Sequence, residues 1–312
     1  MSISVLRTAD NWWVKTPSGA ARVDTAATTT AELVRDRAAI DAAASTGEVV
    51  PVESLDLVAP VTAPCRVVAQ MTNFASHVKD SGLNPETIPL TFFRKASGSI
   101  NGPFDDVVKP AHVRLLDYEI EIGLVLGETV PVGTVITDEN VADVVAGLVI
   151  VNDVSARDVQ LPKTQFYEAK SYPTFTPVGP ELVLLDEGDF ARFTDLRLVL
   201  RVNGEVRQDM TIGSDMIYRP AKALQALSTF QRLDAGDLVL TGTPGGTALT
   251  APPKPIEMIG SLLPPALKWK SFFRAQARNP KYLKDGDLLE LSAATGDGTL
   301  DLGIQRTKVR YS

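Results

Sequence analysis

Apolar residues in the first sixty positions come in short bursts, Ile3 to Leu6 and Trp12 to Lys15, which predict β-strands. A Thr/Ala-rich stretch follows and predicts a helix with a cap near Thr30. The Pro-spaced run VVPVESLDLVAPVTAP then reads as a linker. From Cys65 onward the pattern changes to short Val/Ile/Leu-rich strands broken by Gly, Pro and Asp turns: Arg66 to Met71, Glu119 to Leu126, Ala146 to Val151, Leu196 to Val202, Leu238 to Thr241, Leu288 to Ser292 and Lys308 to Tyr311. Helical patterns are few, the clearest being Pro220 to Leu227 and Pro265 to Ala277. In the latter Trp269, Phe272 and Phe273 form a stripe expected to serve packing. The predicted fold is mainly β (α+β), with a small N-terminal α+β domain over residues 1–62 and a larger, strand-rich domain over residues 63–312.

Composition narrows the possible functions. Apolar residues make up 44% and charged residues 22% of the 312, so a packed core is available. No apolar run approaches the roughly 18 to 20 residues of a membrane span, and the opening residues lack a basic start followed by an apolar stretch. A cytoplasmic address and no membrane partner are expected. The net charge is -7 and no basic face is interleaved with aromatics, which argues against nucleic acid and for a small-molecule partner. Cys65 is the only cysteine, so an intrachain disulfide is excluded.

The carboxylates carry the strongest chemical signal. In LLDYEIEIGLVLG, Asp117, Glu119 and Glu121 alternate with Tyr118, Ile120 and Ile122, so on a strand the three acids share a face. On alternation alone, an amphipathic strand with its polar face in water is the simpler account. The continuation argues against it, because both faces become apolar or small through Gly123, Leu124, Val125 and Leu126 and the strand runs inward. Acids gathered at the edge of a core repel and lose hydration unless a cation or hydrogen bonds offset the cost. Asp153, directly after the apolar run LVIVN, is placed to supply a third ligand. An all-oxygen set of Glu119, Glu121 and Asp153 suits Mg²⁺ or Mn²⁺, or Ca²⁺ in a larger site. Zinc is disfavoured, since the two histidines, His77 and His112, form no zinc-binding spacing.

Six phrases, TNFASHVKDSG, TFFRKASGSINGP, LDYEIEIGLVLG, VNDVSARDVQ, KSYPTFTPVGPEL and GDLVLTGTPGG, follow one another in an order that resembles the fumarylacetoacetate hydrolase superfamily, closely from Cys65 to Gly246. The resemblance implies a mixed β-roll or sandwich, a homodimer, and binding of Mg²⁺ or Mn²⁺ by Glu119, Glu121 and Asp153. Asn73 stands where the larger members have a further acidic ligand. His77 and Asp80 resemble the His-x-x-Glu dyad that acylpyruvate-cleaving and decarboxylating members carry on a mobile lid, here with an acid one methylene shorter. Lys170 resembles a catalytic residue of such sites; Arg94, Lys95, Gln160 and Thr243 resemble residues around the substrate, and Thr174 one near the metal. Pro173 departs from the family's usual Asp, and the stretch from Thr250 to Lys284 is longer and richer in Pro than in compact members.

The chemistry this implies is carbon-carbon hydrolysis of a small 2,4-dioxo (acylpyruvate-like) acid. The cation would chelate the carboxylate and 2-oxo oxygens and hold the developing enolate. His77, oriented by Asp80, would take a proton from water. Lys170 would stabilise the oxyanion. Oxaloacetate decarboxylation, and hydration or isomerisation of a 2-oxo-enoate, use the same site without the attacking water and remain open, as does a non-catalytic binding protein. His112 carries no motif and is expected on a loop.

Overall fold

Strands that are apolar on both faces must be covered on both, and this requirement organises the molecule. The computed structural model describes residues 2–45, 47–164, 166–186, 188–251 and 263–312. Among them a mixed nine-stranded sheet runs in the order Gly19–Arg22, Trp12–Thr16, Ile3–Arg7, Leu182–Leu184, Val145–Asn152, Ile120–Leu126, Leu238–Leu240, Val67–Gln70 and Phe92–Lys95. Every residue of Ile120–Leu126 is buried. Ile120, Ile122 and Leu124 face one core, which they share with Leu198, Leu200, Leu289 and Leu291. Those four belong to a second sheet, in the order Glu205–Thr211, Arg197–Val202, Leu288–Ala294, Asp301–Tyr311 and Val107–Lys109. On the other face Val125, Val149, Val151 and Leu240 share a core with Leu33, Ile40 and Ala43, the last two from the helix Arg37–Ala44. The structure is mainly β with few helices, as the sequence predicts.

The N-terminal residues belong to this architecture through hydrogen bonds as well as packing. Ile3–Arg7 pairs antiparallel with Leu182–Leu184, so the first three strands continue the large sheet. The Pro-spaced run expected as a linker is pinned along its length: Val50 bridges Ala20, and Leu57, Ala59 and Val61 are buried. Thr29 caps the turn Thr30–Leu33 in a capping box with Glu32, one residue from the predicted cap.

Two features that position the site were not predicted. The strand Glu205–Thr211 is mostly polar, so its pattern lacks an apolar face; it follows a turn in which Asn203 and Gly204 both have positive φ. The helices Arg157–Lys163 and Phe166–Lys170 are short, and the first contains Pro162, which hides their periodicity. The predicted helix at residue 265 forms as Pro265–Gln276, and Phe273 packs on the larger core, in keeping with the packing role expected of its stripe. The rest of the Pro-rich stretch, residues 252–262, lies outside the described residues. No helix among the described residues is long and apolar enough to cross a membrane.

Candidate metal centre and active site

Glu119 and Glu121 sit at the N-terminal end of the strand Ile120–Leu126, beside the C-terminal end of Val145–Asn152, where Asn152 pairs with Ile120. Asp153 leaves that strand next, and its N–H donates to the Glu119 carbonyl over 2.8 Å. Glu119, Glu121 and Asp153 are all buried, and each offers a carboxylate oxygen within 4.8 Å of the others. Asp117 is not part of this close group. Strand pairing lapses at Tyr118 and Glu119, and the Asp117 carboxylate instead accepts from Arg157 Nε (2.8 Å) and from the N–H groups of Ala248 and Leu249.

Three buried cations answer the acids. Lys170 Nζ donates to Glu119 Oε2 (2.6 Å) and Asp153 Oδ2 (2.5 Å). Lys95 Nζ donates to Asp153 Oδ1 and to the Phe175 carbonyl (2.8 Å). Arg157 spans Asp117 and Glu119, and its remaining arm donates to Gln160 Oε1 over 2.9 Å. With Asp117 counted, the cluster among the described residues holds one more carboxylate than it has lysine and arginine partners, and Glu121 is the acid without an ion pair there. Its Oε2 accepts the Gly242 N–H over 2.7 Å. Burial, with Asp153 and Glu119 close by, pushes the Glu121 carboxyl well above its ordinary range. Burial would also raise Glu119, but Lys170 and Arg157 outweigh it and hold Glu119 below its usual value.

This donor set fits a divalent cation. Each carboxylate has about four lone-pair sites, so the contacts to lysine and arginine leave acceptor capacity on Glu119 and Asp153, and the repulsion at Glu121 is what a shared cation relieves. The Lys95–Asp153 pair provides a test. Removing one partner of a buried pair costs about 3–5 kcal/mol, so Lys95→Met is expected to lower the urea midpoint strongly in a chelator. Mn²⁺ is expected to restore more stability to this variant than to the parent, and equal gains would argue against a cation sharing Asp153.

The helix Ala75–Asp80 carries His77. His77 is half-buried, and its Nδ1 is buried without a hydrogen-bond partner among the described residues. Burial lowers its affinity for a proton, partly countered by Glu119. Asp80 has a different partner from the one expected: its Oδ2 accepts the Gly246 N–H over 3.0 Å. The helix start is held by Asp215, whose carboxylate accepts from Ser76 N–H (2.9 Å) and Ser76 Oγ. Gly246 has φ +103°, and a Cβ there would lie 2.1 Å from the Arg207 carbonyl oxygen, so this docking loop requires glycine.

The remaining expected residues divide. Thr243 is buried and accepts from Gln208 Nε2 over 2.8 Å, beside Gly242. Arg94 alternates with Phe93 and Lys95 on its strand and is exposed, so it is not brought to the acids. The Thr174 hydroxyl turns to the Val108 N–H rather than to the centre. Asn73 has both amide hydrogens bonded to the Tyr218 and Thr241 carbonyls, and its oxygen accepts the Tyr218 N–H, which leaves it a structural role. His112 lies in a turn, with Nε2 2.8 Å from the Tyr172 hydroxyl. Arg157 and Gln208 had been given no role. Gln208 donates to the Thr243 hydroxyl and the Pro244 carbonyl, and its oxygen accepts the Ile120 N–H. The one sequence signal for either was Arg157's place in the polar run after Asp153.

The pattern of the fumarylacetoacetate (FAA) hydrolase C-terminal family matches residues 66–310. The chain belongs to this family. It is 36% identical over 252 residues to the 2,4-didehydro-3-deoxy-L-rhamnonate hydrolase of Sphingomonas sp. (strain SKA58), covering 80% of this chain and 75% of the relative. It is 34% identical over 207 residues to a mitochondrial oxaloacetate tautomerase of Bos taurus, covering 66% of this chain and 64% of that protein. The chain thus matches slightly under two thirds of the tautomerase's length. Among solved structures, a probable 2-hydroxyhepta-2,4-diene-1,7-dioate isomerase from Mycobacterium abscessus superposes with a TM-score of 0.75 at 30% identity, covering 100% of this chain and 99% of the other. The fumarylacetoacetate hydrolase of Exiguobacterium antarcticum gives 0.69 at 27% identity, with both chains fully covered. Family members are enzymes that act on small acids and characteristically use a divalent metal, which agrees with the buried triad here.

Proposed function

We propose that this enzyme hydrolyses a carbon-carbon bond in a small 2,4-dioxo acid, with Mg²⁺ or Mn²⁺ held by Glu119, Glu121 and Asp153. The observation that carries the reading is the buried acid triad, bridged by Lys170 and lying close enough to His77 for Glu119 to influence its protonation. When bound, the cation supplies Lewis-acid polarisation of the substrate's carboxylate and 2-oxo oxygens. Burial works against the charged form of both lysines beside that position; Asp153 and Glu119 outweigh it at Lys170 and hold its proton, which favours an anionic substrate, whereas burial prevails at Lys95. His77, whose buried surroundings disfavour its charged form, takes a proton from water as the oxygen adds to the distal carbonyl. The bond between carbons 3 and 4 then breaks, its electron pair stays with the pyruvate fragment, and a proton returns to carbon 3. The name of the Sphingomonas relative, which describes an acid oxidised at carbons 2 and 4, supports this substrate class. We place the enzyme in the cytoplasm as a homodimer.

A second reading, enolisation, decarboxylation or isomerisation of a 2-oxo acid without attacking water, is supported by the relatives named as oxaloacetate tautomerase and dienedioate isomerase. Product analysis with acetylpyruvate and oxaloacetate, in Mg²⁺ or Mn²⁺, separates the two. Acetate and pyruvate released from acetylpyruvate support the hydrolase; oxaloacetate turnover with acetylpyruvate intact replaces it by the second. If the segment from His77 to Pro89 closes over ligand, oxalate with Mg²⁺ should also protect it from proteolysis. Equal cleavage with and without ligand would count against gating.

A further inference from the structure

The two ends of the stretch from Thr250 to Lys284 are rooted on neighbouring residues, the first on Asp117 and the second on Leu116. At the first end, the Asp117 carboxylate accepts the N–H groups of Ala248 (2.8 Å) and Leu249 (3.1 Å). At the second, the Leu283 N–H donates to the Leu116 carbonyl over 2.9 Å. Asn279 Nδ2 ties the two roots together by donating to the Ala248 carbonyl over 2.8 Å. Just beyond the first root, the Ala251 N–H donates to the carbonyl of Asp80, the last residue of the His77 helix, over 2.8 Å. Asp117 is wholly buried, and Arg157 joins it to Glu119 through one planar guanidinium.

We propose that Asp117 is a positioning residue that couples Glu119 to the His77 helix, through Arg157 on one side and the 248–251 backbone on the other. The inference rests on the reading that Glu119 shares a divalent cation. The guanidinium is a rigid fork whose donors have fixed directions. A shift of Glu119 toward a cation therefore changes the pull on Arg157 and, through it, on the carboxylate that seats Ala248 and Leu249. Those two amides have no hydrogen bond to the triad; Asp117 links them to it through Arg157, and because the Gly242 N–H on Glu121 offers a second route along the same loop, the Asp117 variant is the arm that separates the two.

Hydrogen exchange of the parent protein, with and without Mn²⁺, tests the coupling. Mn²⁺ should slow exchange several-fold in peptides covering residues 247–251 and the C-terminal turn of the His77 helix. Outer contacts of this kind typically change metal affinity by about 10- to 100-fold when removed, so Asp117→Asn should weaken Mn²⁺ binding about tenfold and abolish the protection at 247–251. Asp215→Asn is the control, since Asp215 anchors the same helix at its other end without touching the acids. It should speed exchange in the helix and leave Mn²⁺ affinity unchanged. Protection of the acid strand with no change at 247–251 in the parent would overturn the coupling, whether or not Asp117→Asn folds. Ala251→Pro, which deletes only the donor to Asp80, should release the helix turn while Mn²⁺ affinity and protection at 248–249 persist; loss of Mn²⁺ affinity there would also overturn it. Failure of the parent to bind Mn²⁺ at all, by calorimetry, would instead refute the triad reading, and the coupling with it.

Discussion

Replacing His77 by Ala is expected to cut turnover of an acylpyruvate by about 10²- to 10⁴-fold, the range typical of a lost general base, while Mn²⁺ and oxalate bind nearly as before. His77 has no place in an all-oxygen ligand set, so the metal side of the site should survive. Its Nδ1 is buried without a partner among the described residues, and its surroundings disfavour the charged form, so a neutral ring is available to accept a proton near pH 7. Asp80 bonds to the Gly246 N–H rather than to the imidazole. Asp80→Asn keeps an acceptor for that N–H and should therefore cost much less than the His77 change. Decarboxylation of oxaloacetate needs no attacking water and should outlast acylpyruvate cleavage in the His77 variant. If both reactions fall equally, His77 acts in a step they share, and its role as hydrolytic base has to be given up.

The contrast between Asp80 and Glu121 shows what kind of information the sequence holds. Alternation along a strand is local, and the inward run after Glu121 was enough to place Glu119 and Glu121 on one buried face, with Asp153 beside them at the next strand's end. The same alternation applied to FFRK would have separated Arg94 from Lys95, since neighbours on a strand point to opposite faces; the structure puts Lys95 on Asp153 and leaves Arg94 in solvent. Asp80 depends instead on a long-range fact, that a glycine loop 166 residues away offers an N–H to it. Arg157 and Gln208 are likewise defined by what packs against them. A buried arginine between two acids looks in sequence like any surface arginine beside an aspartate. The N-terminal strands teach the same lesson at the scale of the fold, because a Pro-spaced segment marks a change of pattern without revealing that the strands before it pair with Leu182–Leu184.

Glu121→Ala is expected to abolish both Mn²⁺ binding and turnover while leaving the metal-free fold intact or more stable. The two halves of this prediction have one cause. Asp117, Glu119 and Asp153 each have a lysine or arginine partner, but Glu121 relies on the Gly242 N–H alone among the described residues. In the metal-free protein it is therefore a buried carboxyl forced away from its charged form by burial and by its acidic neighbours. An uncompensated polar group of this kind costs on the order of 1–3 kcal/mol, and its removal recovers part of that. The cavity left by the side chain works in the opposite direction, so the net gain should be small, read as an unchanged or slightly raised urea midpoint in a chelator. Once the cation is present the balance reverses, because the carboxylate that was in excess becomes a ligand. The parent should gain stability with rising Mn²⁺, by about 2.7 kcal/mol at a hundred times the dissociation constant, and the variant should gain none. A variant that loses stability in chelator yet keeps its response to Mn²⁺ would show Glu121 to be a structural residue and would move the centre away from these three acids.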